Sequence, residues 1–420
     1  MREETFFTKT KLKNGLRIIS ERIPAFRSIS LGFWVGIGSR DETPEQAGIT
    51  HFVEHLLFKG TERRTAKDIA ETFDAIGGEL NALSSKEYTF FYAKVLDQHL
   101  PLAVDVLTDI LMNPVFKKAD ITAERRVVLE EINMHEDSPA DLIHDYFDSE
   151  LWHGHPLGKR VLGSAKTMRA ITRDDTANYF RQSYMPPNIV VAAAGNVRHN
   201  MLIDLMERSL GKIEGRKIPR ARAKPEVKSH TTVFRRKTQQ AHICYGTEGL
   251  PLKHKDRFVL AILDTILGGG MSSRLFQNIR EKRGLVYSIY SFNSQFTETG
   301  AMAIYAGTQP SKANEVIRLI KAEIEEIVQN GVTEIELVRA REHLKGSLVL
   351  SLEDTSTRMS RLGRAEITRS EILSVDDLIK RIDAVTLEDI SRLTKRIFKP
   401  DKMVLTVIGP FKKEAFETKN

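Results

Sequence analysis

The stretch ITRDDTANYFRQSYMPPNIVVAAAG, Ile171 to Gly195, has a counterpart in VTLEDISRLTKRIFKPDKMVLTVIG, Val385 to Gly409. Each holds a helical run (to Tyr184 and to Phe398), a proline (Pro186 and Pro400), and an apolar run closed by glycine. The two are offset by 214 residues. At the same offset Asp120-Ile121 faces Glu334-Ile335, Arg125 faces Arg339, and the strand around Leu31 faces the strand around Tyr245. The chain reads as a tandem duplication, each copy about half its length.

Within the first copy, residues 15–20, 28–36, 88–95 and 189–194 are rich in β-branched or aromatic side chains between polar or glycine turns, which predicts strands. Pro44 to Lys59, Ala66 to Ile76, Leu100 to Met112 and Lys118 to Met134 carry helical periodicity. Strands at both ends of a copy with helices between them predict an α+β fold. The expected architecture is two homologous tandem domains, each a mainly antiparallel sheet covered on one side by helices. Their expected extents are 1–211 and 238–420, joined by a linker at 212–237.

The 420 residues hold 63 lysines and arginines against 56 aspartates and glutamates, a formal charge of +7. That balance suits an acidic partner, but its position argues otherwise. Residues 212–237 hold ten of the cations against Glu214 and Glu226, a net +8, which leaves −1 for the rest. The linker's lone aromatic residue is Phe234, so the stacking platform of a single-strand reader is missing and nucleic acid is not the expected partner. The single cysteine, Cys244, excludes an intramolecular disulfide framework and an all-cysteine metal site. Residues 1–15 are polar and charged, and no apolar run reaches about 18 residues, so neither a secretory signal nor a membrane span is expected. A cytoplasmic protein is the expectation.

The chemistry concentrates in His51-Phe52-Val53-Glu54-His55. Thr43 as N-cap and Pro44 at the first helical position place this pentapeptide on a helix that Gly60 stops. Positions i, i+3 and i+4 share a face, so His51, Glu54 and His55 point together. Two imidazoles one turn apart can chelate a zinc ion, with the carboxylate beside them holding water; the order is that of the inverted zincins. A third ligand is needed. On the helix from Lys118, Glu124 and Glu131 are two turns apart and share a face, whereas Glu130 points about 100° away. Spacing alone leaves Glu124 and Glu131 both open.

The spacing from His55 to Glu131, followed by Arg280-Glu281-Lys282-Arg283-Gly284-Leu285-Val286-Tyr287, resembles the family of pitrilysin, insulin-degrading enzyme and mitochondrial processing peptidase. The likeness covers the whole chain and is greatest to compact bacterial members with two homologous domains, which pair as homodimers. It implies a zinc metalloendopeptidase with one Zn2+ per chain, held by His51, His55 and Glu131, with Glu54 as catalytic carboxylate and Glu124 supporting the site. It also implies that Gly78 to Ala82, with Asn81 and Ala82, is an edge strand on which an extended peptide adds. Arg280 and Tyr287 match the family's arginine and tyrosine pair from the second domain. In chemical terms, Glu54 can take the proton of an attacking water and pass it to the leaving amine, Tyr287 can donate to the developing oxyanion, and Arg280 can orient substrate.

At the 214 offset, His51, Glu54, His55 and Glu131 face Thr265, Gly268, Gly269 and Lys345, so the second copy lacks the metal site. The plainer alternatives are a solvated helix face for Glu124, a surface cluster for Arg280 and Tyr287, and a strand-entry role for Asn81. His153 and His155 read as loop residues, Gly268 to Gly270 as freed backbone and Cys244 as a buried small hydrophobe. Two other functions stand beside the peptidase: a noncatalytic assembly subunit of the same family, and a maturase of one precursor peptide.

Overall fold

A computed structural model describes residues 6–220, 223–368, 370–412 and 414–416. Arg222 of the basic run and the first five residues of the amino-terminal reading lie outside them. The described residues form two sheets. The first orders its strands β1 (Thr8–Lys11), β2 (Arg17–Arg22), β6 (Ile189–Gly195), β3 (Ser28–Val35), β5 (Thr89–Leu96) and β4 (Glu79–Ser84). The second orders β7 (His230–Arg235), β11 (Val404–Gly409), β8 (Ala241–Glu248), β10 (Gly300–Thr308) and β9 (Val286–Gln295). The β2–β6 and β7–β11 pairs are parallel and the remaining pairs antiparallel. The mixed α+β fold follows.

Alternation within β3 and β5 sends Leu31, Phe33, Phe91 and Ala93 into one buried cluster with Phe52, Val53, Leu107 and Val128 from helices. The expected helical cover on one face is therefore present. Trp34, Val190 and Ala192 point to the opposite face, where Met359 and Leu362 of the helix Thr355–Thr368 pack on them. That helix comes from the second half of the sequence. In like manner Leu142, Phe147 and Leu151 of the helix Pro139–Leu151 pack with Cys244, Ala303 and Val404 of the second sheet.

Compactness accordingly divides the chain elsewhere than at 212–237. One unit comprises Met1–Asn133, Lys159–Ala221 and Ser351–Ile372, the other Met134–Gly158, Arg222–Leu350 and Leu373–Asn420. Each sheet face needed an apolar lid, and in each unit one lid is supplied from the other half of the sequence. The stretch 212–237 is more than an exposed connection. It contains β7, Arg220 pairs with Asp41 (Nε–Oδ1 2.6 Å), and Lys224 pairs with Glu248 (3.0 Å).

The duplication holds, but its offset drifts between elements. Buried Phe52, Val53, Leu56 and Leu57 of the helix Ile49–Leu57 match buried Ile262, Leu263, Ile266 and Leu267 of the helix Arg257–Leu267, an offset of 210. Buried Ile121, Glu124, Val128 and Ile132 match Leu337, Ala340, Leu344 and Leu348, an offset of 216. Arg125 Nη2 donates to Ile171 O (2.5 Å), and the same bond to the matching Val385 O comes from Arg341 rather than Arg339. Counterparts of His51, Glu54, His55 and Glu131 are thus Ala261, Asp264, Thr265 and Ser347, which corrects the fixed 214 spacing. The second unit still lacks the imidazoles.

Candidate metal centre

The expected helix from Pro44 to Lys59 is shorter in the structure, Ile49–Leu57. Its N-cap is Gly48 at φ 95°, where an added Cβ would meet Leu162 O at 2.7 Å, so a side chain is excluded. Thr43 does not cap it. Glu42, buried, instead reaches across with Oε2 on Gly48 N (2.8 Å) and Oε1 on Thr50 N (2.9 Å). Burial raises the Glu42 carboxyl to about 7 against the pull of the Thr50 and Gly48 hydrogen bonds and of Lys159. Thr50 Oγ1 and Tyr179 Oη, 2.6 Å apart, fix the same turn from the helix Arg173–Ser183.

This anchored turn presents His51 and His55 to the helix Lys118–Glu136. His51 Nε2 is 3.0 Å and His55 Nε2 3.6 Å from Glu131 Oε2, and one ligand atom of each residue lies within 4.8 Å of the others. Zinc bonds of about 2.0–2.2 Å set tetrahedral donors roughly 3.4 Å apart, so this nitrogen and oxygen set fits the ion. Glu124 faces differently. Buried, it accepts on Oε1 from His55 Nδ1 (2.9 Å) and on Oε2 from Lys59 Nζ (2.6 Å), which turns His55 Nε2 toward Glu131. Of the pair that spacing left open, Glu131 lies with the two imidazoles in the group that could hold a metal ion, and Glu124 is bonded to His55 Nδ1. Glu130 is exposed, in keeping with the helical wheel.

Glu54 is buried beside His51, with Oε2 3.8 Å from His51 Nδ1, and it accepts from Ser84 Oγ at 2.5 Å. Ser84 ends β4, which among the described residues pairs only with β5 and so has one edge open there. Asn81 is exposed on that strand, its Oδ1 accepting from Ala82 N (2.8 Å), while Ala82 is half-buried against the core. Sequence reasoning missed Ser84, Glu42 and Lys59. A glycine inside a supposed helix, Gly48, was the available signal for Glu42.

Arg280 and Tyr287 belong to the other unit. Arg280 sits on a π-turn, Phe276–Glu281, with its guanidinium over the Phe276 ring at 4.5 Å; Tyr287 lies on edge strand β9 and is 79% exposed. In the same unit Asp264, the counterpart of Glu54, is half-buried and accepts from Ser291 Oγ and from Asn293 Nδ2 (2.6 Å). Burial raises its carboxyl. His155 Nε2 bonds Ala223 O (2.9 Å) in a loop, and Cys244 is buried with its thiol pushed up by that burial.

Residues 17–165 match the family described as Insulinase (Peptidase family M16), and residues 170–344 match the Peptidase M16 inactive domain. A protein of Streptomyces coelicolor named as an uncharacterized zinc protease is 43% identical over 96% of this chain and 90% of its own length. One of Bacillus subtilis with the same description is 40% identical over 95% and 97%. A protease from Helicobacter pylori superposes with a TM-score of 0.92 at 23% identity, covering 96% of this chain and 99% of that one, a likeness of fold. Among the described residues no helix is long and apolar enough to cross a membrane.

Proposed function

From the premise that the chain belongs to peptidase family M16, whose curated relatives are named zinc proteases, we propose that it is a zinc metalloendopeptidase acting on peptides or short unfolded segments. The convergence of His51, His55 and Glu131 around one point, with Glu54 beside them, is the observation that supports this most strongly. A zinc ion held there would supply Lewis acidity, which lowers the pKa of water to about 7. Glu54 takes the proton of the attacking water and delivers it to the leaving amine. Ser84 holds the Glu54 carboxylate by one oxygen, leaving the other for that proton. An extended peptide pairs along the open edge of β4, which grips main chain and leaves Asn81 to shift off the Ala82 amide.

Tyr287 and Arg280 keep the roles that the family likeness gives them, donation to the oxyanion and orientation of substrate. Homodimer assembly and a cytoplasmic place belong to the same reading. The noncatalytic alternative is disfavoured because His51, Glu54, His55 and Glu131 are all present in one chain. Mass spectrometry of products from a mixed unfolded-peptide library tests the proposal. Internal cleavages that a chelator abolishes are expected, and an intact library would overturn it.

A further inference from the structure

In the metal-bearing unit, His55, Lys59 and Glu124 form one packed cluster. Their counterparts, at offsets of 210 and 216, are Thr265, Gly269 and Ala340, each a truncation. The space they give up is a cavity of about 300 Å³ lined by these three together with Met271, Arg339 and His343. That volume is at the lower end of the roughly 300–1,000 Å³ of small-ligand sites.

The polar groups at its rim are unequal. Glu336 is neutralised by Arg274, with Nε–Oε1 at 2.6 Å and Nη2–Oε2 at 2.8 Å. Arg339 and His343, one turn apart on the helix Glu334–Ser351, have no hydrogen-bond or ion-pair partner among the described residues. The bond that Arg125 makes in the other copy to the carbonyl just ahead of a helix, Ile171 O, is made here to Val385 O by Arg341, which leaves Arg339 unengaged. A mainly apolar hollow therefore adjoins a free guanidinium.

We propose that this cavity is a second peptide-binding site that takes the C-terminal residue of a peptide, its apolar side chain inside and its carboxylate against Arg339. A C-terminal residue carries an apolar side chain and a carboxylate on the same carbon, which matches that adjacency. An internal aspartate or glutamate offers the charge without the apolar group. The choice of a peptide rests on the peptidase reading; the existence of the site does not require turnover.

Fluorescence anisotropy on the full-length Glu54→Gln chain tests it, with a labelled peptide ending in leucine as free acid, the same peptide as amide, and an amide carrying a penultimate aspartate. The free acid is expected to bind about ten-fold or more tighter than either amide, as for a charge-assisted contact. Arg339→Met should erase that preference, and Ala340→Leu, which fills the hollow, should weaken the acid while circular dichroism stays unchanged. Equal binding of acid and amide, recovery by the internal aspartate, or a preference that survives Arg339→Met would each overturn the proposal. Loss of peptidase activity in the wild-type chain would count against the catalytic reading alone, because binding is measured without cleavage.

Discussion

Ser84 Oγ donates to Glu54 Oε2 at 2.5 Å, joining the open edge strand to the carboxylate of the histidine helix through one bond. The second unit repeats the arrangement without imidazoles. Opposite-strand pairing sets Ser84 against Thr89 and Asn293 against Met302, and Asn293 Nδ2 donates to Asp264 Oδ2 at 2.6 Å. The strand-to-carboxylate bond therefore survives where the metal donors do not.

Ser84→Ala frees the Glu54 carboxylate to rotate while leaving every metal donor in place. Turnover is expected to fall about ten-fold, the equivalent of roughly 1.4 kcal/mol for one hydrogen bond to a charged group. Zinc content and KM should hold. Steady-state kinetics beside metal analysis decides it, and unchanged kcat would make Ser84 a strand-end residue only.

Glu131→Gln and Glu124→Gln separate a donor from an orienting group. The first should leave the isolated chain without zinc. The second leaves His51, His55 and Glu131 in place but loosens the hold on His55 Nδ1 and takes the carboxylate partner from half-exposed Lys59, so affinity should weaken about 10–100-fold. Competition with a chromogenic chelator measures both. Equal affinity loss in the two variants would merge their roles.

Glu42 gives the fold a pH dependence of defined sign. Its carboxyl is raised from 4.5 to about 7 by burial, so the native state holds the proton more tightly than the unfolded chain. The stability from this group is complete below pH 4.5 and is lost as pH rises through 7, about 3 kcal/mol across that window. Urea midpoints at pH 5 and pH 8 should differ less in Glu42→Gln than in the wild type. An identical pH difference in both would remove Glu42 as the cause.

The duplication was legible because a helix start, a proline and a glycine-closed strand recur between Ile171 and Gly195. The histidine helix was legible from three residue types on one face. What the residues did not reveal was anything fixed by packing across long stretches of chain. Met359 and Leu362 cover the back of the first sheet from more than 300 positions beyond Trp34, and no local periodicity records that partnership. The choice between Glu124 and Glu131 likewise needed the rotation of one imidazole, which Lys59 and Glu124 set together. The constant 214 offset failed because insertions and deletions lie in loops, where a buried pattern imposes no spacing. The helix start at Gly48 was misplaced because its cap comes from Glu42, six residues back, rather than from an adjacent side chain.

The most direct test of the account is zinc stoichiometry and peptide cleavage measured on one preparation of Glu54→Gln beside the wild type. The account predicts one zinc per chain in both, with cleavage in the variant lower by about 10²–10⁴, the contribution of a general base. Full cleavage by Glu54→Gln with its zinc retained would contradict it.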